Sequence, residues 1–229
     1  FFSKGLPNIN MDITVNGQQL TDPIKTNPKG YFTYVLITEN VPHNVVFSIS
    51  DSQPFTALPK NNTKIESEVQ IINCDQKGFA VISDIDDTIK QTGILLGKRA
   101  VATNTFVHEY EQWSIPSMST WYHDLKQKTK CDFFYVSNSP IQLYAPLKEF
   151  IYKYYPPGAI FLKEYVSGGY INNLMLSSSK RKLESIKNIV SNFPHKKFLL
   201  IGDSGEHDLE AYLEICQLFP SQILAVYIR

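Results

Sequence analysis

The feature that most constrains this chain is an apolar run that ends in a cluster of carboxylates. Phe79–Ile82 is entirely apolar, and Asp84, Asp86 and Asp87 follow almost at once. Such a run is typical of a strand that is covered on both faces, as in parallel sheets. Because ligands of these sheets bind at the carboxyl ends of the strands, the pattern predicts a ligand site at the end of this strand.

The same pattern recurs through the rest of the chain. Helical apolar stripes begin after Ser139, which is predicted to cap a helix whose first residue is Pro140, and again at about Lys180. Apolar strands alternate with these helices, which predicts a doubly wound α/β domain with a parallel sheet. The predicted strands cover residues 79–83, 132–137, 197–202 and 223–228.

The N-terminal third of the chain has a different pattern, with short alternating runs separated by turn residues. Asn16-Gly17 between two such runs indicates a hairpin. We predict an N-terminal antiparallel β-sandwich over residues 1–75 and the α/β domain over residues 76–229. The predicted N-terminal strands cover residues 11–15, 31–37 and 45–49.

Composition limits the class of protein. Lys+Arg and Asp+Glu residues number 22 each, so no net charge favours nucleic acid, and we expect no nucleic-acid partner. No apolar run reaches the roughly 18 residues of a membrane span, and no signal peptide is evident. Because the chain begins at Phe1 rather than at a methionine, we expect it to be a fragment.

The clustered carboxylates need a counter-charge. Asp84 and Asp86 are two positions apart, so both side chains leave the same side of an extended segment and repel each other. A divalent cation removes this repulsion, and Mg²⁺ prefers one or two carboxylates together with water and a phosphate oxygen. Since Ser137 and Asp203 also end predicted strands, the sequence predicts a Mg²⁺ and phosphate site at this edge.

Four segments resemble, in order, the four motifs of the haloacid dehalogenase (HAD) superfamily. They are DIDDT from Asp84, FFYVSNSP with Ser137, KRKLESIKNI with Lys182, and KKFLLIGDSGEHD with Asp203. The segments SDIDDTIKQTG, YVSNSPIQLY and FLLIGDSGEHDLEAY are similar to the actin-patch type of phosphatidate phosphatases, in which a β-rich region also precedes the catalytic domain. The resemblance implies a HAD-like (Rossmannoid) catalytic domain with short cap insertions.

The resemblance also implies catalytic roles. Asp84 is expected to attack phosphorus and form an aspartyl-phosphate, and Asp86 to protonate the leaving alkoxide and then activate water. Ser137 and a neighbouring backbone amide are expected to bind the phosphoryl oxygens. Lys182 is expected to offset the negative charge of Asp84 and of the transferring group.

The metal site implied by the resemblance contains Asp84, Asp203 and the backbone carbonyl of Asp86. Asp208 either ligates the ion through water or caps the following helix, and both alternatives stay open. Asp87 is expected to shape the loop rather than to bind the ion.

Two of these assignments have close competitors in the sequence. Lys182 competes with Lys180 and Arg181 at the start of the same predicted helix, and the motif spacing favours Lys182. Ser139 is an alternative to Ser137, although its place before a proline favours a helix cap.

Two long segments, between Thr88 and Asp132 and between Pro140 and Lys180, are expected to be insertions over the active site, as in the cap regions of this superfamily. Aromatic residues of the first segment are expected to pack a cap helix. A basic apolar stretch in the first segment and a glycine-rich stretch in the second, 167–176, are each either core packing with a loop or a surface that enters a bilayer. The aromatic residues are Trp113, Trp121 and Tyr122, and the basic apolar stretch is Gly93–Val101 with Lys98 and Arg99.

The function expected from these features is Mg²⁺-dependent conversion of phosphatidate to diacylglycerol. The resemblance implies a cytoplasmic protein that is peripheral on membranes and located at cortical actin patches. Its expected partners are a phosphatidate-containing membrane surface and, through further segments, cortical actin and endocytic proteins. Two alternatives stay open, namely the same chemistry on another phosphomonoester and a non-catalytic phosphatidate-binding module.

Overall fold

The structure, a computed structural model, describes most of the C-terminal two thirds of the chain and parts of the N-terminal third. The chain divides into two compact units, Phe2–Asn73 and Cys74–Arg229. The predicted domain boundary, between residues 75 and 76, falls beside this division. The described residues are 7–20, 24–28, 30, 32, 42, 44–49, 66–68, 72, 75–93, 109–163, 178–205 and 208–229.

The N-terminal unit contains an antiparallel sheet around strand β1 (Asn10–Val15). Strand β1 pairs with β2 (Gln18–Gln19), β3 (Ile24–Lys25) and β4 (Val45–Ile49), and β4 pairs with β5 (Glu66–Glu68). The turn from β1 to β2 has φ angles of 49° and 83° at its two central residues, which the sequence Asn-Gly adopts readily. The predicted hairpin is therefore confirmed.

The N-terminal strand predictions are confirmed only in part. Strands β1 and β4 match the predictions at 11–15 and 45–49. Most of the predicted strand 31–37 lies outside the described residues. The described strands of this unit form one sheet, and the second layer that a sandwich requires stays a prediction.

The C-terminal unit is built on a parallel sheet of five strands in the order β10-β9-β6-β7-β8. Every neighbouring pair is parallel, which confirms the predicted α/β class. All four strands expected from the sequence are present, whereas β8 was not predicted. The strands are β6 (Gly78–Asp84), β7 (Asp132–Pro140), β8 (Ala159–Lys163), β9 (Lys196–Gly202) and β10 (Ile223–Ile228).

Five α-helices are described in this unit. Among the described residues, no helix combines the length and the apolar character that crossing a membrane would need. A short 3-10 turn, Ile141–Leu143, lies between β7 and the next helix. The helices are α1 (Tyr110–Trp113), α2 (Met118–Thr129), α3 (Tyr144–Tyr154), α4 (Ser178–Asn192) and α5 (Asp208–Leu218).

Apolar side chains cover both faces of the sheet. On one face, Phe133 and Tyr135 of β7 belong to a buried cluster that includes Tyr122 of α2. Phe134 points to the other face, where its ring centroid lies 5.2 Å from that of Phe193, just after α4. Burial on both faces explains why the three central strands, β6, β7 and β9, contain continuous apolar runs.

The two long segments predicted to be insertions contribute to the sheet and to the layer that covers it. In the first segment, α2 packs Tyr122 against Phe133, with ring centroids 5.5 Å apart. Trp113 belongs to the same buried cluster and Trp121 packs against it, so the prediction that these three residues pack a cap helix was wrong. In the second segment, β8 pairs with β7 at the edge of the sheet. Residues 94–108 of the first segment and 164–177 of the second lie outside the described residues.

The prediction that Ser139 caps a helix was also wrong. Ser139 lies within β7, the 3-10 turn follows, and α3 begins at Tyr144. Neither the turn nor α3 has a capping hydrogen bond from the side chain at its N-cap position. The Ser139 hydroxyl donates instead to Asp86, so a tertiary contact replaces the local one.

Candidate active site

The carboxyl ends of three neighbouring strands bring the candidate site residues together. Asp84 ends β6, Ser137 lies near the end of β7, and Asp203 directly follows β9. Strand β6 lies between β9 and β7, so these side chains meet at the carboxyl ends of the three strands, with Asp86 in the turn after β6. All four side chains are buried, with exposed fractions of 0% for Asp84, 4% for Asp86, 5% for Ser137 and 6% for Asp203.

Lys182 is the basic residue of α4 that reaches the carboxylates at these strand ends. Its Nζ lies 2.8 Å from Oδ1 of Asp84 and also contacts Oδ1 of Asp208. Lys182 is buried, whereas its competitor Lys180 is exposed. The helix therefore presents Lys182, among the three basic residues considered, to the carboxylate at the end of β6.

Three buried carboxylates form the centre of the site. Asp84, Asp203 and Asp208 each offer one oxygen, and these oxygens lie within 4.8 Å of one another. Burial raises the pKa of Asp208, and Lys182 acts against that shift. Three clustered carboxylate oxygens are the ligands that a hard divalent cation such as Mg²⁺ prefers, so the donor set fits such an ion.

Asp208 begins α5, and its carboxylate faces the site. Its Oδ1 accepts a hydrogen bond from Lys182, and its Oδ2 accepts the backbone N–H of Asp203 at 3.2 Å. These contacts favour a role within the site over the alternative of a helix cap. A Cβ atom at Gly202 would lie 2.4 Å from Oδ2 of Asp208, so the close approach of β9 requires glycine there.

Asp86 occupies a separate network of hydroxyl groups. Its Oδ2 accepts hydrogen bonds from Ser137 Oγ at 2.6 Å and Ser139 Oγ at 2.9 Å, and its Oδ1 accepts one from Thr92 Oγ1 at 2.7 Å. Its carboxylate is not part of the group of three that could hold a cation. Both serines contact Asp86, so these hydrogen bonds do not choose between them as phosphate ligands.

The turn after β6 is held by its own polar groups. Thr88 Oγ1 donates to Oδ2 of Asp84 at 2.8 Å. Asp87 has a φ of 56°, and its Oδ1 accepts the backbone N–H groups of Thr92 at 2.8 Å and Gly93 at 2.7 Å. Asp87 therefore shapes the loop, as predicted. Thr88 was not singled out from the sequence, although its place beside the aspartates was a usable signal.

Sequence analysis missed a buried cation in this turn. Lys90 is 1% exposed, and its Nζ lies 3.1 Å from Thr92 Oγ1 and 4.6 Å from the ring centroid of Trp113. Burial lowers the pKa of Lys90, while Asp86 and Asp87 act against that shift. Because lysines are almost never fully buried, the sequence carried no signal of this position.

Two segments that were considered as membrane contacts lie outside the described residues. They are the basic segment with Lys98 and Arg99 and the glycine-rich segment 167–176. The expectations about them stay predictions.

Comparison with known proteins agrees with the motifs. Residues 79–229 match the family described as "Phosphatidate phosphatase APP1, catalytic domain". Phosphatidate phosphatase APP1 of Saccharomyces cerevisiae is 52% identical over 152 residues, which are 66% of this chain and 26% of that protein. An uncharacterised protein of Schizosaccharomyces pombe is 32% identical over 213 residues, which are 90% of this chain and 34% of that protein. The chain thus spans about a quarter to a third of the length of these relatives.

Proposed function

Because the chain belongs to the family of phosphatidate phosphatase APP1 catalytic domains, we propose that it hydrolyses phosphatidate to diacylglycerol and phosphate with Mg²⁺. The main structural support for phosphoryl-transfer chemistry is the buried ion pair of Asp84 with Lys182 beside two further carboxylates. The substrate is proposed from the family alone. The four motifs support a HAD-like assignment of the parallel-sheet unit.

In the first step, a carboxylate oxygen of Asp84 attacks phosphorus. The new O–P bond makes an aspartyl-phosphate, while the bond from phosphorus to the diacylglycerol oxygen breaks. Asp86 gives its proton to that oxygen, since an alkoxide is a poor leaving group. Lys182, 2.8 Å from Asp84, and the hydroxyl of Ser137 offset the charge of the phosphoryl oxygens.

In the second step, water attacks the same phosphorus atom. Asp86, now ionised, takes a proton from this water, the bond from phosphorus to Asp84 breaks, and phosphate leaves. The hydroxyl donors around Asp86 support both steps, because they hold its carboxyl group in place beside Ser137.

The carboxylates of Asp84, Asp203 and Asp208, with the backbone carbonyl of Asp86, are proposed to hold Mg²⁺. When bound, this ion supplies the positive charge that orients the phosphoryl group and neutralises it. The cluster of three carboxylates supports this assignment because Mg²⁺ prefers carboxylate oxygens as ligands.

Asp86→Asn should slow hydrolysis of an alkyl phosphate far more than hydrolysis of nitrophenyl phosphate. The alkoxide needs the proton, whereas a nitrophenolate leaves with little help. The measurement is the single-turnover rate on both substrates under conditions in which chemistry is limiting. An equal loss on both substrates would exclude Asp86 as the general acid.

We further propose that the protein acts at the cytoplasmic face of membranes and that Lys98 and Arg99 contribute to this attachment. Each cation near an anionic surface contributes about 1 kcal/mol. Lys98→Ala with Arg99→Ala should therefore weaken sedimentation with phosphatidate vesicles about tenfold. Turnover of a soluble aryl phosphate should stay near that of the parent.

A matched control removes the same charge elsewhere. Lys128 and Lys130 are exposed residues just before the amino end of β7, whereas the candidate site lies at the carboxyl ends of the strands. Their replacement by alanine should leave vesicle binding near the parent value. Equal effects of the two double variants would show that the first pair makes only a general charge contribution.

Contacts with cortical actin and endocytic proteins are a further proposal, which rests on the family resemblance alone.

The proposed function is tested by phosphate release from phosphatidate in mixed micelles, with and without Mg²⁺, beside a soluble aryl phosphate. We expect release from phosphatidate only with Mg²⁺. Release from the aryl phosphate alone would support phosphatase activity but reject phosphatidate as the substrate. Vesicle binding without release from either substrate would support a non-catalytic module.

A further inference from the structure

Lys90 occupies an unusual environment beside Asp86. Its side chain is buried, with the ammonium group over the ring of Trp113 and 3.1 Å from the hydroxyl oxygen of Thr92. A buried ammonium group is expensive, and an apolar residue of similar volume is often no less stable at such a position. This lysine therefore calls for an explanation beyond the stability of the loop.

The hydrogen bonds around Thr92 have a defined direction. An ammonium group can only donate, so the Thr92 oxygen accepts from Lys90 and keeps its single proton for another acceptor. Oδ1 of Asp86, at 2.7 Å, is closer to that oxygen than the backbone carbonyl of Lys90, at 3.4 Å. The Thr92 proton therefore lies toward Asp86.

The other carboxylate oxygen of Asp86, Oδ2, also lies at the end of a series of hydrogen bonds. The backbone N–H of Ser139 donates to Ser137 Oγ at 2.8 Å, which directs the Ser137 proton to Oδ2 of Asp86 at 2.6 Å. Oδ2 also accepts the Ser139 hydroxyl at 2.9 Å, so hydroxyl donors hold both oxygens. Oδ1 is tied to Thr92 and Lys90, and Oδ2 lies beside Ser137, the proposed phosphoryl ligand.

We propose that Lys90 is a positioning residue, which directs the Thr92 hydroxyl onto Oδ1 of Asp86 and so fixes the orientation of this carboxyl group beside Ser137. In that orientation Asp86 gives its proton to the diacylglycerol oxygen as the P–O bond breaks, and later takes one from the attacking water. This inference rests on the proposed function, since it requires that Asp86 acts as acid and base.

A purely electrostatic role for Lys90 predicts a different result. If the lysine only offset the charge of the site, its removal would slow all phosphate esters alike. If it acts through Thr92 on Asp86, its removal slows mainly the substrates whose leaving group needs a proton. The ratio of the two rates therefore separates the two roles.

The test uses Lys90→Met, Thr92→Val and the double variant, with a water-soluble short-chain phosphatidate and nitrophenyl phosphate as substrates. We expect each single variant to lower the single-turnover rate on phosphatidate about tenfold and the rate on nitrophenyl phosphate less than about twofold. The double variant should be no slower than Thr92→Val alone, because both changes break one chain. Thr92→Ser, which keeps the hydroxyl, should restore most of the phosphatidate rate.

Lys196→Met is the matched control. Lys196 is 2% exposed and pairs with Asp132 at 2.7 Å. These residues begin β9 and β7, so the pair lies at the amino ends of the strands, away from the candidate site. Its replacement should reduce stability, measured by urea unfolding, without changing the ratio of the two rates. A similar loss on both substrates in the Lys90 and Thr92 variants, or no loss at all, would overturn the proposal. If Lys90→Met does not fold, Thr92→Val decides alone. A parent inactive on both substrates would instead reject the proposed function, and this inference with it.

Discussion

The Asp84→Asn variant should release less than about 1% as much phosphate as the parent while keeping the fold. The amide has nearly the shape of the carboxylate, so it can still accept the hydrogen bond from Lys182 and fit beside Thr88. It cannot attack phosphorus. It also removes one negative charge from the group of three carboxylates, so without Mg²⁺ the free energy of unfolding should equal or exceed that of the parent.

Two measurements check this expectation. Phosphate release is followed with phosphatidate and with a soluble aryl phosphate, and the unfolding midpoint is followed with and without Mg²⁺. Mg²⁺ should stabilise the variant less than the parent, because one ligand has lost its charge. Turnover of either substrate near the parent rate would reject Asp84 as the nucleophile.

The Lys182→Met variant should lose both activity and stability. Lys182 is 2% exposed and contacts two buried carboxylates, so its removal leaves uncompensated charge in the site. Breaking a buried ion pair by removing one partner typically costs about 3–5 kcal/mol. We expect a loss of this size in the free energy of unfolding by urea, together with a loss of phosphate release of about a hundredfold or more.

Lys180→Met is the matched control, because Lys180 lies in the first turn of the same helix and is exposed. It should resemble the parent in both measurements. Adding Asp208→Asn to Lys182→Met should recover part of the stability, since one of the uncompensated carboxylates is gone, but not the activity. Equal behaviour of the Lys180 and Lys182 variants would contradict the assignment of Lys182 to the site.

The sequence was informative wherever burial and motif spacing agreed. The strand that leads to Asp84 was predictable because an apolar run of that length must be covered on both faces. Asp203 and Ser137 were expected to lie near it because parallel strands align their carboxyl ends at one edge. The order of neighbours, with β6 between β9 and β7, then places the three together.

The failures came from contacts between residues distant in the sequence. Ser139 before a proline is a reasonable helix cap, yet its hydroxyl bonds Asp86, 53 positions away. Strand β8 was missed because it is a short edge strand with only partial burial, inside a segment expected to be an insertion. Lys90 was missed because its burial depends on Trp113, which another part of the chain supplies.

The most direct test of the central claim is rapid acid quenching of turnover with phosphatidate labelled in its phosphate group, followed by mapping of the label. The account predicts labelled aspartyl-phosphate on the peptide that contains Asp84, formed with Mg²⁺ and absent in Asp84→Asn. Release of diacylglycerol and phosphate by Asp84→Asn at the parent rate, with no label on this peptide, would contradict it.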